Sequence, residues 1–245
     1  ASRAKTRFLA TASHDLRQPI HAMGLFVPAL QMMARRAQVA PQALGAVADR
    51  MQLALQTMSQ LLGRLLDVSR LDAGVVEVKP QALPLAPLVQ AAVDEVTSAA
   101  RAKGLTIRVR EPGLWVHTDP AVVHAILSNL LGNAVRYTRT GGILVAARRR
   151  GDSVRLQVWD TGIGIATDDQ QRLTEEFFQG GNAHETGEPT RGFGLGLAIA
   201  QRSAQLLGCQ LLWRSRLGRG SVFELPLPQA SMPATAAQAP AEAAA

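Results

Sequence analysis

Apolar and small residues recur along the first third of the chain with a seven-residue period. Leu9, Leu16, Met23 and Leu30 form one row, and Ala12, Pro19, Phe26 and Met33 form a second. Two such rows make one helical stripe, the a and d seam of a coiled coil. After a break near Val39-Ala40-Pro41, Leu44, Met51, Met58 and Leu65 alternate with Val47, Ala54, Leu61 and Val68 in the same spacing. Two long helices joined as a hairpin are therefore expected. Ile20, Val27, Leu55 and Leu62 flank the seams, and two helices alone cannot enclose them. A second copy would cover them in a four-helix bundle; packing of the arm on the rest of its own chain is the alternative. Pro19 lies inside the first helix and frees the carbonyl of Asp15, so a kink is expected just after His14.

After Asp72-Ala73-Gly74 the heptad pattern stops, and helical and strand-like periods mix. Helices are predicted near Leu85 to Ala102, Ala121 to Tyr137 and Gly194 to Leu207, with a short one near Asp168 to Phe178. Strands are predicted at Thr106 to Val109, Trp115 to His117, Ile143 to Arg150, Ser153 to Trp159, Gln210 to Ser215 and Ser221 to Pro226. Arg150-Gly151-Asp152-Ser153 reads as a hairpin turn. The organisation expected is a helical domain over 1–74, a Pro-containing linker over 75–86, an α+β layered domain over 87–228 and an Ala/Pro-rich tail over 229–245 that has too few large apolar groups to pack.

Composition narrows the function classes. The 245 residues are 47% hydrophobic, enough to bury a core in two modest domains. Lys and Arg exceed Asp and Glu by 26 to 19, but the basic residues are spread from Arg3 to Arg219, with Arg148-Arg149-Arg150 the densest cluster. No zinc-finger spacing or aromatic-basic RNA motif accompanies them, so a solvated basic face is expected and no nucleic-acid partner. The single cysteine, Cys209, leaves no intrachain disulfide and no multi-Cys metal site. No apolar run approaches the roughly 20 residues of a membrane span, so no membrane contact by this chain and a cytoplasmic setting are expected.

Four segments carry candidate chemistry. In Ser13-His14-Asp15-Leu16-Arg17-Gln18-Pro19, the heptad places His14 at f, facing solvent, with Asp15 beside it to fix the tautomer and leave one nitrogen nucleophilic. His21 also lies at f, and an exposed histidine on a helix commonly has no role. Asn129 and Asn133 share one helical face, where amide oxygens suit Mg2+ or pair with buried backbone instead. Asp160-Thr161-Gly162-Ile163-Gly164 follows a strand, a turn that lets backbone approach a planar ligand while Asp160 accepts from its amine; an ordinary loop satisfies the same pattern. Gly192-Phe193-Gly194-Leu195-Gly196-Leu197 enters a helix whose free N–H groups favour phosphate, though no strand precedes it as in a dinucleotide fingerprint.

Taken in order, these segments resemble the H, N, G1 and G2 boxes of histidine protein kinases, from about Phe8 to Leu227. The resemblance implies a helical-hairpin dimerisation domain followed by a Bergerat-type α/β sandwich. It implies His14 as phosphoacceptor with Asp15 as the neighbouring acid, and Asn133 as the Mg2+ ligand supported by Asn129. Arg136 and Tyr137 would line the nucleotide pocket and Asp160 would recognise adenine, with Gly162 and Gly164 shaping its loop. Arg191, Gly192, Gly194, Gly196 and Leu197 would belong to the ATP lid and its phosphate-facing end, and Ser221 would lie near the adenine. The stretch from Gly180 to Arg191 is expected to be mobile. Phe177 and Phe178 match the aromatic box before the lid, although core packing explains them equally well.

Three positions depart from the family pattern: Asp15 replaces the usual Glu, Gln18 replaces the Thr or Asn associated with dephosphorylating the regulator, and Thr174 replaces a Phe. His-Asp-Leu-Arg-Gln-Pro followed by His21 is similar to a bacterial subgroup often found in hybrid kinases. The implied function is ATP-dependent autophosphorylation of a homodimer, with transfer to a response regulator receiver domain, separate or fused downstream. A nucleotide-dependent scaffold without phosphorylation is the rival reading; a Bergerat-type ATPase would need a general-base carboxylate on the double-Asn helix, where only amides occur.

Overall fold

The computed structural model describes residues 2–35, 41–180 and 194–231, with side chains from Leu16 onward apart from Gln18. Two compact units divide between Ala73 and Gly74. The first is a pair of long helices, α1 (Ser2–Ala34) and α2 (Pro41–Asp72), which pack on each other. Helical backbone continues through Pro19 and Pro28 of α1. Burial follows the heptad: Pro19, Leu61 and Val68 are buried, and Met23, Phe26, Leu30, Met51, Met58 and Leu65 are half-buried. Leu44 is the exception at 50% exposure, because it lies in the first turn of α2, where the seam runs out. The flanking row, Ile20, Val27, Leu55 and Leu62, is exposed.

The second unit contains β1 (Gln81–Pro84), α3 (Leu85–Ala102), β2 (Thr106–Arg110), β3 (Trp115–Thr118), α4 (Pro120–Tyr137), β4 (Gly142–Arg150), β5 (Ser153–Asp160), α5 (Thr167–Gln170), α6 (Gly196–Leu206), β6 (Leu212–Arg216) and β7 (Gly220–Pro228). Five strands form one sheet in the order β2-β4-β5-β7-β6, parallel only between β2 and β4. Alternation on the strands decides which side is covered. Ile143, Val145 and Ala147, Val154, Leu156 and Val158, and Phe223, Leu225 and Leu227 point into a core shared with α3, α4 and α6. Helix α4 is the centre of that core; Val123, Ile126, Leu127, Leu130 and Leu131 are all at most 2% exposed. Removing one such Leu side chain by substitution with Ala typically costs about 2–5 kcal/mol.

Three expectations are corrected. The stretch 75–86, expected to be linker, holds β1, which pairs antiparallel with β3, and the first residues of α3. Pro84 closes that short edge strand, as proline can because no ladder donor is needed there. Of the expected helix Asp168 to Phe178 only the first three residues are α-helical, within α5 (Thr167–Gln170), and the chain then continues in turns. The last helix begins at Gly196 rather than Gly194, because Gly194 takes φ +65°, outside helical space.

Candidate functional site

Helix α4 starts where Asp119 caps it: Oδ1 accepts from the amides of Ala121 (2.8 Å) and Val122 (3.1 Å), and Pro120 needs no donor at the first position. The same carboxylate accepts from the Lys79 amide at 2.8 Å, fixing the approach to the unit. Lys103 holds the far end, its Nζ donating to the carbonyls of Val135 (2.8 Å) and Arg136 (3.1 Å). A cation on the last carbonyls of a helix opposes the negative end of its dipole. The helix is thus fixed at both ends while its one half-buried face carries Asn129, Asn133, Arg136 and Tyr137.

Asn129 donates from Nδ2 to the Ala125 carbonyl at 2.9 Å, which turns its Oδ1 toward Gly196. A Cβ on Gly196 would lie 3.1 Å from that oxygen and 3.6 Å from both amide atoms of Asn133, so the start of α6 rests directly on the two asparagines. Among the described residues no hydrogen bond engages the Asn133 amide. The N-cap position of α6, Leu195, supplies no side-chain cap, and Leu197 packs half-buried against the core. Uncapped N–H groups and an unengaged amide oxygen therefore stand side by side.

Asp160 ends β5 opposite Ser221, the second residue of β7. Its Oδ1 accepts from the Gly162 amide at 2.8 Å. Burial pushes its carboxyl above the ordinary aspartate range, opposed by the backbone hydrogen bonds from Gly162 and Ser221. The loop is squeezed from two sides. A Cβ on Gly162 would be 2.5 Å from the Tyr137 carbonyl oxygen, which accepts from Ile163 at 3.1 Å, and Gly164 lies against the Arg216 carbonyl. Glycine is required at Gly162 by close approach, and the contact joins the Asp160 loop to the end of α4.

Ser215 was not legible as a site residue. Its Oγ accepts from the Ile165 amide (2.8 Å) and lies 2.9 Å from Ser221 Oγ and 3.1 Å from the Gly220 carbonyl, so it locks the loop to the β6–β7 turn. Phe177 was expected as an aromatic packing residue; its backbone takes φ +59° and its amide donates to the Gly194 carbonyl at 3.0 Å. Arg172 lies 4.4 Å from the Phe178 ring centroid. Arg191 and Gly192, with most of the stretch expected to be mobile, lie outside the described residues. His14 and Asp15 lie on α1, where only their helical backbone is described. Burial pushes the Cys209 thiol up to about 11, which disfavours its thiolate at neutral pH.

Two family models match the chain. Residues 4–74 match the His Kinase A (phospho-acceptor) domain, and residues 118–231 match the histidine kinase-, DNA gyrase B- and HSP90-like ATPase. The virulence sensor protein BvgS of Bordetella bronchiseptica is 35% identical over 98% of this chain and 20% of its own length. The sensor-like histidine kinase SenX3 of Mycolicibacterium smegmatis is 32% identical over 91% of this chain and 57% of its own. The chain thus spans from a fifth to somewhat over half of these relatives. Among solved structures, full-length ShkA in complex with AMPPNP has 29% identity and a TM-score of 0.66, covering 93% of this chain and 47% of ShkA. The chain belongs to the histidine kinases, carrying the phosphoacceptor helical domain and the ATPase-type domain of that family's catalytic core.

Proposed function

We propose that this chain phosphorylates itself on His14 from Mg2+-bound ATP as a homodimer and passes the group to an aspartate on a response regulator. The observation that carries the reading is the meeting of α6 with α4: the uncapped helix start at Gly196 beside the unengaged amide of Asn133. The donor set fits the nucleotide. Free N–H groups at a helix N-terminus favour phosphate oxygens. A hard amide oxygen suits Mg2+, which keeps most of its ligands from water and phosphate. Among the described residues no group of three or more His, Cys, Asp or Glu forms an alternative metal site. Asn133 would hold the ion, with Asn129 beside it.

Asp160 would accept from the amino group of the base, its carboxylate kept in place by the amides of Gly162 and Ser221. Arg136 and Tyr137 would line the same pocket. ATP supplies a terminal phosphoryl group whose transfer needs positioning and charge neutralisation more than covalent help. On the helical unit, Asp15 would hold one ring nitrogen of His14, leaving the other to attack phosphorus. An N–P bond forms, the bond to the bridging oxygen breaks, ADP leaves, and the imidazole sheds its proton to solvent. The exposed row Ile20, Val27, Leu55 and Leu62 supports the homodimer, since a second hairpin would bury it. The surface around His14 would receive the regulator.

The test is incubation of the whole chain with Mg-ATP labelled on its terminal phosphate, alongside His14→Ala, Asn133→Ala and His21→Ala. Acid-labile, base-stable label lost in the first two variants and kept in the third is the expected result. Nucleotide binding without label in the wild-type chain would put the scaffold reading in its place.

A further inference from the structure

One face of the five-stranded sheet is buried under helices; the other carries an uneven charge. Register brings together residues that are far apart in the chain. One row across all five strands reads Arg108, Leu144, Trp159, Val222 and Arg214. The next reads Arg110, Ala146, Gln157, Glu224 and Leu212, and the third contains Arg148 and Arg155. Glu224 is the one carboxylate among these strand residues. It is already engaged, by Arg155 at 2.7 Å and by Gln157 Nε2. Arg148 reaches it only at 3.9 Å, and Arg108, Arg110 and Arg214 are exposed with no ion pair among the described residues. Between Arg108 and Arg214 lies a small apolar centre, Leu144 and Trp159, the latter 39% exposed; Leu212, 43% exposed, stands apart at the β6 end of the next row. The indole N–H of Trp159 donates to Gln157 Oε1 at 3.2 Å, which orients the ring.

From this face we infer a docking surface for an acidic amphipathic helix of a partner protein. It is a property of the sheet's outer side and does not depend on the kinase reading. Arginine and tryptophan around a small apolar centre, rimmed by charge, match the composition of interface hot spots. With strands about 4.8 Å apart, the row from Arg108 to Arg214 is roughly 19 Å long, the length of about 13 helical residues. A helix laid along it would place apolar side chains on Leu144 and Trp159 and carboxylates at the arginines at either end. The three rows together measure roughly 19 by 14 Å. That is well under the roughly 800 Å² per partner of a stable interface, so the contact is a transient one.

Charge complementarity selects this occupant over two others. A second copy would set the same cations against themselves. A nucleic acid strand would meet Glu224 in the middle of the face and a single exposed aromatic, where sequence-independent strand binding uses several stacking rings and a continuous basic track. An anionic membrane would not use an apolar centre framed by the sheet rather than protruding from it.

The experiment uses the whole chain and, as probe, a fluorescent peptide of about 14 residues with Leu at helical i, i+3, i+4 spacing and Glu elsewhere, read by anisotropy without nucleotide. Binding is expected to fall at least about tenfold for Arg108→Glu/Arg214→Glu and about fivefold for Trp159→Ala, with Arg108→Gln/Arg214→Gln in between. Arg101→Glu, on α3, should leave binding unchanged, and raising salt from about 50 to about 300 mM should weaken it. Thermal melts would establish that these outward-facing variants remain folded. Unchanged binding in the double charge reversal would overturn the inference. So would tighter binding of a single-stranded oligonucleotide or of phosphatidylserine vesicles through the same arginines, or equal binding of the peptide with Lys in place of Glu.

Discussion

Asp160→Asn separates what a buried carboxylate does for the fold from what it does for a ligand. The carboxyl group sits at the end of β5, and burial raises its pKa, the hydrogen bonds from Gly162 and Ser221 opposing that rise. A raised native pKa means that, between the unfolded value near 3.8 and the native one, the native state binds more protons than the unfolded state. Stability then falls as pH rises through that window, and above it the ionised Asp160 is a net burden on the apo fold. Asparagine keeps an oxygen to accept from Gly162 at a position where 2.8 Å now separates the partners, and it removes the charge. Relief of this kind is typically worth about 0.5–2 kcal/mol, partly offset because a neutral acceptor bonds more weakly. The apo melting temperature should therefore hold or rise by a few degrees at pH 7, with the advantage over wild type vanishing below about pH 4. Nucleotide binding should move the other way. Losing a hydrogen bond to a charged group costs about 1.5–3 kcal/mol, or roughly 10- to 150-fold in affinity. Calorimetric titration with ADP and thermal melts across pH read the two effects. A melting temperature several degrees below wild type at pH 7 would refute the desolvation argument, and unchanged affinity would remove Asp160 from the nucleotide site.

Lys103→Met should lower the stability of the second unit by about 0.5–1.5 kcal/mol, since the carbonyls of Val135 and Arg136 lose their cationic donor; urea unfolding followed by far-UV circular dichroism would measure it. Gly220→Ala should be far worse, about 3–5 kcal/mol, because φ there is +89° and the new Cβ would fall 2.0 Å from the Asp160 carbonyl oxygen; a Tm within two degrees of wild type would contradict it. Ser215→Ala should lower nucleotide affinity severalfold and stability by about 1–2 kcal/mol, since the Ile165 amide loses its acceptor, whereas Ser215→Thr should retain more of both. On the proposed homodimer, Leu55→Glu/Leu62→Glu should give a monomer in sedimentation where the wild-type chain gives a dimer, because both side chains lie on the exposed row of α2.

The helical unit was legible because its signal is periodic and local. Pro19, Leu61 and Val68, all predicted for the seam, are the buried residues among the described side chains of that unit. The same holds for the β4–β5 hairpin, whose two-residue turn needs the positive φ that Gly151 provides. What escaped were features set by partners distant in sequence. β1 is four residues with two exposed and two half-buried positions, and only pairing with β3, more than thirty residues on, makes it a strand. Ser215 looked like any strand hydroxyl until the β6–β7 turn brought it against Ile165 and Ser221. Lys103 closes α3 with its backbone amide, while its side chain reaches across to cap α4, a contact that no local pattern announces.

The basic residues illustrate the same limit with a functional consequence. Along the chain the arginines look scattered, and their densest run, Arg148-Arg149-Arg150, is divided by the pleat: Arg148 and Arg150 point to the outer face with Arg155, while Arg149 alternates to the other. Arg108 and Arg214 are over a hundred residues apart, yet register sets them at the two ends of one row, with Leu144, Trp159 and Val222 between. A net charge of +7 spread evenly would be a solvated surface and nothing more. The few arginines that register gathers on one sheet face, around an exposed indole and with the one acid among them already engaged, make a directional field instead, which is what a weak and rapidly exchanging acidic partner requires.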